Sequence, residues 1–571
     1  MKQTLLLALA CHLLVAAPAQ SPPGFKWVKT ITFVIPNSGA EFFDFCTDPT
    51  GNSYVFGIFK GTLNFGGNVT LQAQGAKEAY LVAKYAPNGV LNWVHKITAP
   101  DGGFIYGVDE NPCGISADTS GNVYISGQLT NTALNFGDGV LLQRSCSGNC
   151  SDFFLAKYNA AGQAQWVTSS AGSANTYQTG TRLVVGKDGS VFVAGNYTGQ
   201  TINIGNVLTY NNLEPDGLYM ARFLADGQPV SAWFFSNGNG YAQLDHLAVS
   251  RQNNLFATGM YDGGTMDFGN GVNLETFGGN NASNFFVAEY NDQGVAQSAY
   301  NLNSETYLDV LDIAADTAGQ PYVVVDFNTG LNHGNTGIST SVADTYTATL
   351  LHLTDSVFQV IVEVQYDSAA YPIGNVAVDR YNRFFASGSF GDIQLDVDTA
   401  VLEHVNCDEI LLFSGTSDTP PLEWVRSAGG DGCEGILTYY FGRALSTDQT
   451  GNLYAVGSFH SSLNLDLFSK NGDGLFITSL GTGIVGTHDP LDIDPVRIVP
   501  NPSRGDFKVE WTDFSGPVHL ILYDAQGRVC FQRVVSQNAD LDFNLHLPTG
   551  LYTLEWLTRN QIGQQKVVIA N

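Results

Sequence analysis

The chain reads as an all-β protein, a seven-bladed β-propeller of four-stranded blades followed by a small β-sandwich, and three observations predict this. The first is a turn-then-strand anchor written seven times, at Gly51, Gly121, Gly189, Asn253, Gly319, Asn382 and Gly451, with intervals of 70, 68, 64, 66, 63 and 69 residues. A period that stable is the mark of a repeat architecture. The second is that every unit divides into short apolar or alternating runs broken by glycine-rich turns, with no helical periodicity. The third is that the seventh unit stops one strand short, and the missing strand stands at the other end of the chain.

Each unit starts on a run of small and β-branched residues, such as Arg182-Leu-Val-Val185 or His246-Leu-Ala-Val-Ser250. The anchor Gly or Asn tolerates positive φ and turns the chain tightly into an aromatic second strand, as in Gly121-Asn-Val-Tyr-Ile-Ser-Gly127. Past each anchor lies a motif such as Leu63-Asn-Phe-Gly66, Leu134-Asn-Phe-Gly137 or Met266-Asp-Phe-Gly269, whose Asn or Asp suits a turn capped by its own side chain. A third strand follows (Tyr80-Leu-Val-Ala-Lys-Tyr85, Phe153-Phe-Leu-Ala-Lys-Tyr158), then a fourth marked by tryptophan after a Gly turn, as in Gly89 to Trp93. Trp27, Trp93, Trp166, Trp233 and Trp424 all occupy this fourth-strand position, where packing between blades is expected of them. Phe25-Lys-Trp-Val-Lys-Thr-Ile-Thr32 matches Leu91-Asn-Trp-Val-His-Lys-Ile-Thr98 at five of eight positions, so it is expected to complete the last blade and leave no open edge.

The boundaries expected are a secretory signal peptide over residues 1–19, the propeller over 20–481, a Gly/Asp/Pro linker over 482–495 and a C-terminal sandwich over 496–571. The leader carries one early charge, an apolar core from Leu5 and an Ala17-Pro-Ala19 site, too short a run to span a membrane. Formal charge is −28, which repels nucleic acid and anionic lipid; neither a nucleic-acid partner nor a membrane span is expected, and the chain reads as a monomer. Cysteines in an exported chain can persist as disulfides. Cys146 and Cys150, four residues apart, are the best local pair; Cys407 and Cys433 are a second candidate pair, and Cys46 and Cys113 could pair or simply be buried.

No catalytic motif, metal-ligand spacing or cofactor loop is present, so no catalytic residue, metal site or cofactor is expected. Asp396 and Asp398 could touch a divalent cation, but a solvated strand end is the favoured reading. One set of aromatics stands out. Tyr106, Tyr177, Tyr241, Tyr307, Tyr371 and Tyr440 lie 11 to 15 residues upstream of their anchors, with Phe42 nearest in the first unit. The loop into an inner strand faces one mouth of the channel, so these tyrosines could ring it and receive a sugar or peptide. Packing between blades is the competing reading, and their repeated position favours it.

Two resemblances extend this. Asp118-Thr-Ser-Gly-Asn-Val-Tyr-Ile-Ser-Gly127 and Asp152-Phe-Phe-Leu-Ala-Lys-Tyr158 resemble the bacterial β-propeller repeat family labelled SBBP, across roughly residues 24–481. The fifth and sixth units depart most, with Val325 for the strand glycine and Leu351 taken as standing for the third-strand lysine. Val499-Pro-Asn-Pro-Ser-Arg-Gly505, Leu522-Tyr-Asp-Ala-Gln-Gly-Arg528, Leu547-Pro-Thr-Gly-Leu-Tyr552 and Lys566-Val-Val-Ile569 resemble the type A sorting domain of the type IX secretion system of Bacteroidetes. That resemblance implies export across the outer membrane, with the secretion machinery as partner, to a secreted or surface location. The expected function is a binding or adhesion propeller with a glycan or protein ligand; a polysaccharide hydrolase or lyase is the alternative. Acidic and basic side chains converging in the channel would favour the enzyme, and a channel of small residues and backbone would favour binding.

Overall fold

Seven blades of four antiparallel strands follow one another along the chain, the first six each entered at its inner strand and left at its outer one. The structure, a computed structural model, describes residues 23–99, 113–428, 444–481 and 496–570, apart from short loop segments within them. Blade 1 runs Gly39–Thr47, Ser53–Lys60, Glu78–Tyr85 and Leu91–Ile97; blade 4 runs Ala242–Val249, Leu255–Tyr261, Ser283–Tyr290 and Ala296–Ser304; blade 5 runs Leu308–Ala315, Pro321–Asn328, Tyr346–Thr354 and Val357–Tyr366. The inner strands of successive blades touch all the way round, the last against the first, and so enclose a channel.

The ring closes as the sequence predicts. Blade 7 has Ala444–Thr447, Leu453–Phe459 and Gly474–Leu480 from one end of the chain and Phe25–Phe33 from the other. Val28 stands opposite Thr478 and Ile31 opposite Leu475, while Thr478 Oγ1 donates to the buried Trp27 carbonyl at 2.7 Å. No blade is left with an unpaired seam.

The tryptophans pack between blades by a rule the turns supply. Trp27, Trp93, Trp166 and Trp233 each sit over the turn glycine of the next blade: a Cβ on Gly89 would fall 2.7 Å from the Trp27 ring, and one on Gly162 would fall 2.7 Å from Trp93. Both glycines hold positive φ (+77° and +85°), a region that other residues enter at a cost. The indoles also donate across the boundary, Trp27 Nε1 to the Pro87 carbonyl and Trp93 Nε1 to the Ala160 carbonyl.

The anchors are small hydrogen-bonded knots. Asp48 Oδ1 accepts from the backbone N–H groups of Thr50 and Asn52, and its Oδ2 accepts from the Asn52 amide and lies 3.0 Å from the Tyr54 hydroxyl. Asp118 and Asp448 repeat this almost atom for atom, which explains why Asp, Asn and Tyr recur together.

Two readings need correcting. The motif after each anchor does cap its own turn, since Asn64, Asn135 and Asp267 each accept from the N–H two residues on. It also begins an extra two-stranded hairpin that crosses to the preceding blade. Thr62–Asn64 joins the outer strand of blade 7 at Thr32 and Phe33, and Thr201–Ile204 joins that of blade 2 at Ser170 and Ala171. The second correction is one of register. The residue facing the anchor aromatic is Lys84 against Tyr54 and Lys157 against Tyr124; in blade 5 it is His352 against Tyr322, so His352 and not Leu351 stands for the lysine. His352 stacks on Tyr322 at 4.0 Å and faces Asp316 at 3.3 Å, so its ring fills the place over the aromatic that the lysine ammonium takes elsewhere.

Residues 496–570 form two antiparallel sheets, one of three strands and one of four, which share a buried core of Ile498, Phe507, Val509, Leu520, Leu522, Tyr552, Leu554 and Val567. The linker 482–495 and the leader lie outside the described residues.

Candidate functional site

A single register position of the inner strand, seven residues before each anchor, holds Asp44, Gly114, Arg182, His246, Asp312, Asn375 and Ala444 in blades 1 to 7. In blades 1, 4 and 5 this residue follows a β-bulge, which re-aims the side chain out of simple alternation. The inner edge of each blade has no further strand to pair with, and the carboxylates use it. Asp44 Oδ2 accepts from the Ile115 N–H of blade 2, and Asp312 Oδ2 accepts from the Val376 N–H of blade 6, both at 2.9 Å.

Arg182 is the hub of this waist. Its charge is felt by Asp44 in blade 1, Asp245 and His246 in blade 4 and Asp312 in blade 5. Burial pushes Asp44 up to about 6, with the Ile115 N–H and Arg182 pulling the other way. Burial likewise pushes Asp245 and Asp312 up to about 7. His246 is held well below the usual imidazole range by burial and by Arg182, and its Nδ1 lies 3.7 Å from Asp312 Oδ1. The His246 and Asp312 side chains still keep 19% and 25% of their surface exposed, which on an inner strand opens to the channel. Among the described residues the waist therefore offers the Arg182 cation, a neutral imidazole and carboxyl groups that change charge between pH 6 and 7.

Above the waist, three of the six tyrosines share one register. Tyr177, Tyr241 and Tyr307 each stand twelve residues before their anchor, and each backbone N–H donates to a side chain closing the second strand: Thr198, Asp262 and Asn328. Tyr177 and Tyr241 are exposed (38% and 51%), and Tyr307 is half-buried. From Tyr241 a polar track descends blade 4, with its hydroxyl donating to Gln243 Oε1 and Gln243 Nε2 donating to Asp245. Tyr371 begins the inner strand of blade 6, whereas Tyr106 and Tyr440 lie outside the described residues. Phe42 is buried. Cys146 and Cys150 form the expected disulfide; Cys407 and Cys433 lie outside the described residues; Cys46 and Cys113 are unbonded to each other, with burial raising both thiols. Among the described residues no group of His, Cys, Asp and Glu is arranged to hold a metal ion, and no helix is long and apolar enough to cross a membrane.

Residues 497–570 match the family described as "Secretion system C-terminal sorting domain". The tail is a secretion sorting domain. It marks the chain as a secreted or cell-surface propeller protein and implies the type IX secretion machinery as its partner. For the repeats, a WD repeat-containing protein of Acanthamoeba polyphaga mimivirus, described as uncharacterized, is 20% identical over 205 residues, covering 32% of this chain and 15% of that one. Among solved structures, puromycin hydrolase aligns at TM-score 0.31 and 10% identity over 77% of this chain. The Plexin A4 extracellular region aligns at TM-score 0.33 and 8% identity over 96%. The chain spans 62% of the length of each of these two.

Proposed function

We propose that the protein is a surface or secreted binding module of the SBBP repeat type, carrying a type A sorting tail, whose ligand enters the channel at the mouth bearing Tyr177, Tyr241 and Tyr307. The carrying observation is the exposure of Tyr177 and Tyr241 in matched register, since aromatics conserved for interblade packing would be buried as Trp27 and Tyr54 are. Exposed rings beside the inner strands can stack on sugars or clasp side chains. The test is a glycan and peptide array probed with the full-length protein and with the Tyr177→Ala/Tyr241→Ala variant; equal signals from both would refute the mouth as the binding site. For the tail, deleting residues 496–571 is expected to trap the propeller in the periplasm, and surface labelling of cells decides it.

The waist favours a second reading, a hydrolase or lyase acting on polysaccharide. Carboxyl groups with raised pKa beside an arginine are the outfit of acid–base chemistry. We rank it second because Asp44 and Asp312 already accept backbone N–H groups of the next blade, which commits them to holding the ring together. Release of reducing or unsaturated ends from a polysaccharide panel, lost in Asp312→Asn, would reverse that ranking.

A further inference from the structure

Blade 5 differs from its neighbours on the face it turns toward blade 6. One row across its four strands joins Tyr307, Asn328, Tyr346 and Tyr366; the next row on that face joins Asp309, Asp326, Ala348 and Val364. The tyrosines form a continuous array: Tyr307 meets Tyr346 edge-on at 5.7 Å, and Tyr346 stacks on Tyr366 at 5.7 Å. The Tyr366 hydroxyl donates to Asp326 Oδ2 at 2.6 Å.

Beneath that array two carboxylates stand directly opposite each other on the inner two strands. Residues so placed have Cβ atoms about 5 Å apart, and like charges there repel. Asp326 is 1% exposed and its second oxygen, Oδ1, meets no hydrogen-bond donor. Asp309 is half-buried, and its charge reaches Asp245 on blade 4 as well as Asp326. Among the described residues neither member of the pair has a salt-bridge partner, and the cation of the waist acts on Asp44, Asp245 and Asp312 instead. Burial pushes Asp309 up to about 6 and Asp326 up to about 7. Backbone N–H groups of Val310 and Phe327 offset only part of that burial, and a buried oxygen without a donor, opposed like charges and an aromatic array above them suit a compact cation with several N–H donors.

We propose that this face of blade 5 is a subsite for a lysine side chain of a peptide ligand, with its ammonium seated between Asp309, Asp326 and the tyrosine row. The inference rests on the binding reading and names its ligand class. Asp309 lies two strand residues below Tyr307, on the order of 7 Å, a depth that the four-carbon stem of lysine spans. The amino group of a hexosamine is fixed to its ring and stays at the mouth. The tyrosine faces attract the cation, and the carboxylates supply acceptors.

Binding requires ionised Asp309 and Asp326, so it strengthens as pH rises through 6 to 7; among the described residues the titratable groups that act on the pair are Tyr366, through its hydrogen bond to Asp326, and Asp245, which couples to Asp309. Ligand-observed NMR titration of the full-length protein is the test, with acetyl-Gly-Lys-Gly-amide, its Nε-acetyl-lysine counterpart and a glucosamine trimer as probes. The lysine peptide is expected to bind at pH 8, at least tenfold more weakly at pH 5, and the acetylated peptide not to bind. Asp309→Asn and Asp326→Asn are each expected to lose tenfold or more at pH 8 while melting no lower than wild type, because each removes a repulsion. Equal binding of the two peptides, unchanged affinity in both variants, or binding of the glucosamine trimer alone overturns the lysine subsite. If the array yields a glycan whose binding ignores Asp309→Asn, the binding module survives and this subsite falls; if it yields no ligand, both fall.

Discussion

The outer part of each blade and its inner strand obey opposite rules. Toward the outside the units repeat one another: Trp27 over Gly89 and Trp93 over Gly162 are the same contact made twice, and Asp48, Asp118 and Asp448 tie the same knot. On the inner strand a single register runs Asp44, Gly114, Arg182, His246, Asp312, Asn375, Ala444, seven positions with five kinds of chemistry. The ring needs every boundary to be alike, so packing enforces likeness. The channel needs no symmetry, so its chemistry is free to diverge. Where a repeat protein stops repeating is where its individual function is written.

The sharpest way to break the repeating part is to remove the strand that closes it. Deleting Phe25–Thr32 strips the outer strand from blade 7 and exposes Leu475 and Ile477, and burial of Phe25, Trp27 and Ile31 alone is worth about 2–3 kcal/mol each. Loss of the cooperative melt in near-UV circular dichroism is the expected result; an unchanged melting temperature would mean the ring does not depend on that strand. A smaller wedge is Gly89→Ala, which drives a methyl into the Trp27 ring and forces positive φ, costing about 2–4 kcal/mol in all. Gly66→Ala is its control: φ is +83° but nothing lies within 4 Å, so only about 1 kcal/mol of backbone strain is expected. If the two melt alike, the tryptophan contact is not what fixes the turn.

Much of the outer part was legible in the sequence because identity between units is visible to the eye. The period, the tryptophan position and the closing strand all show as matched letters, and Cys146 with Cys150 shows as a spacing. The crossing hairpins were not legible. Leu63-Asn-Phe-Gly66 advertises its own turn through Asn64, whereas its partner Phe33 lies in another blade and leaves no local trace. His352 was misplaced by one residue because Leu350 and Leu351 continue an apolar run that hides the alternation. The waist escaped for the converse reason. Its residues differ from unit to unit, and a search for likeness passes over them; counting seven back from every anchor would have found them.

The inner part is tested by charge. Arg182→Met leaves Asp44, Asp245 and Asp312 facing one another, and is expected to cost about 1–3 kcal/mol at pH 8. The sign follows from the raised carboxyls. Asp44, Asp245, Asp309, Asp312 and Asp326 have folded pKa values near 6 to 7 against an unfolded value near 4, so their neutral forms favour the fold. That contribution is fully present below about pH 4 and is lost as pH rises through 6 to 7. Thermal melts should therefore show the wild-type ring gaining stability from pH 8 to pH 5, and Arg182→Met recovering most of its deficit over the same interval. A deficit independent of pH would show that Arg182 acts through packing alone. The smallest effect is expected at the mouth. Tyr177→Ala with Tyr241→Ala removes two exposed rings and should cost under about 1 kcal/mol in total, and a loss of several kcal/mol would return those tyrosines to the scaffold.

The blade made of both chain ends also sets an order of events. Phe25–Phe33 is synthesised well before its partner Gly474–Leu480, which is made about four hundred and fifty residues later. Pairing so remote in sequence carries the full entropy of closing a long loop and makes ring formation slow. The sorting domain begins only after that last strand. A chain that displays its export signal has therefore already received every strand needed to shut the ring, and the address label works as proof of a finished cargo.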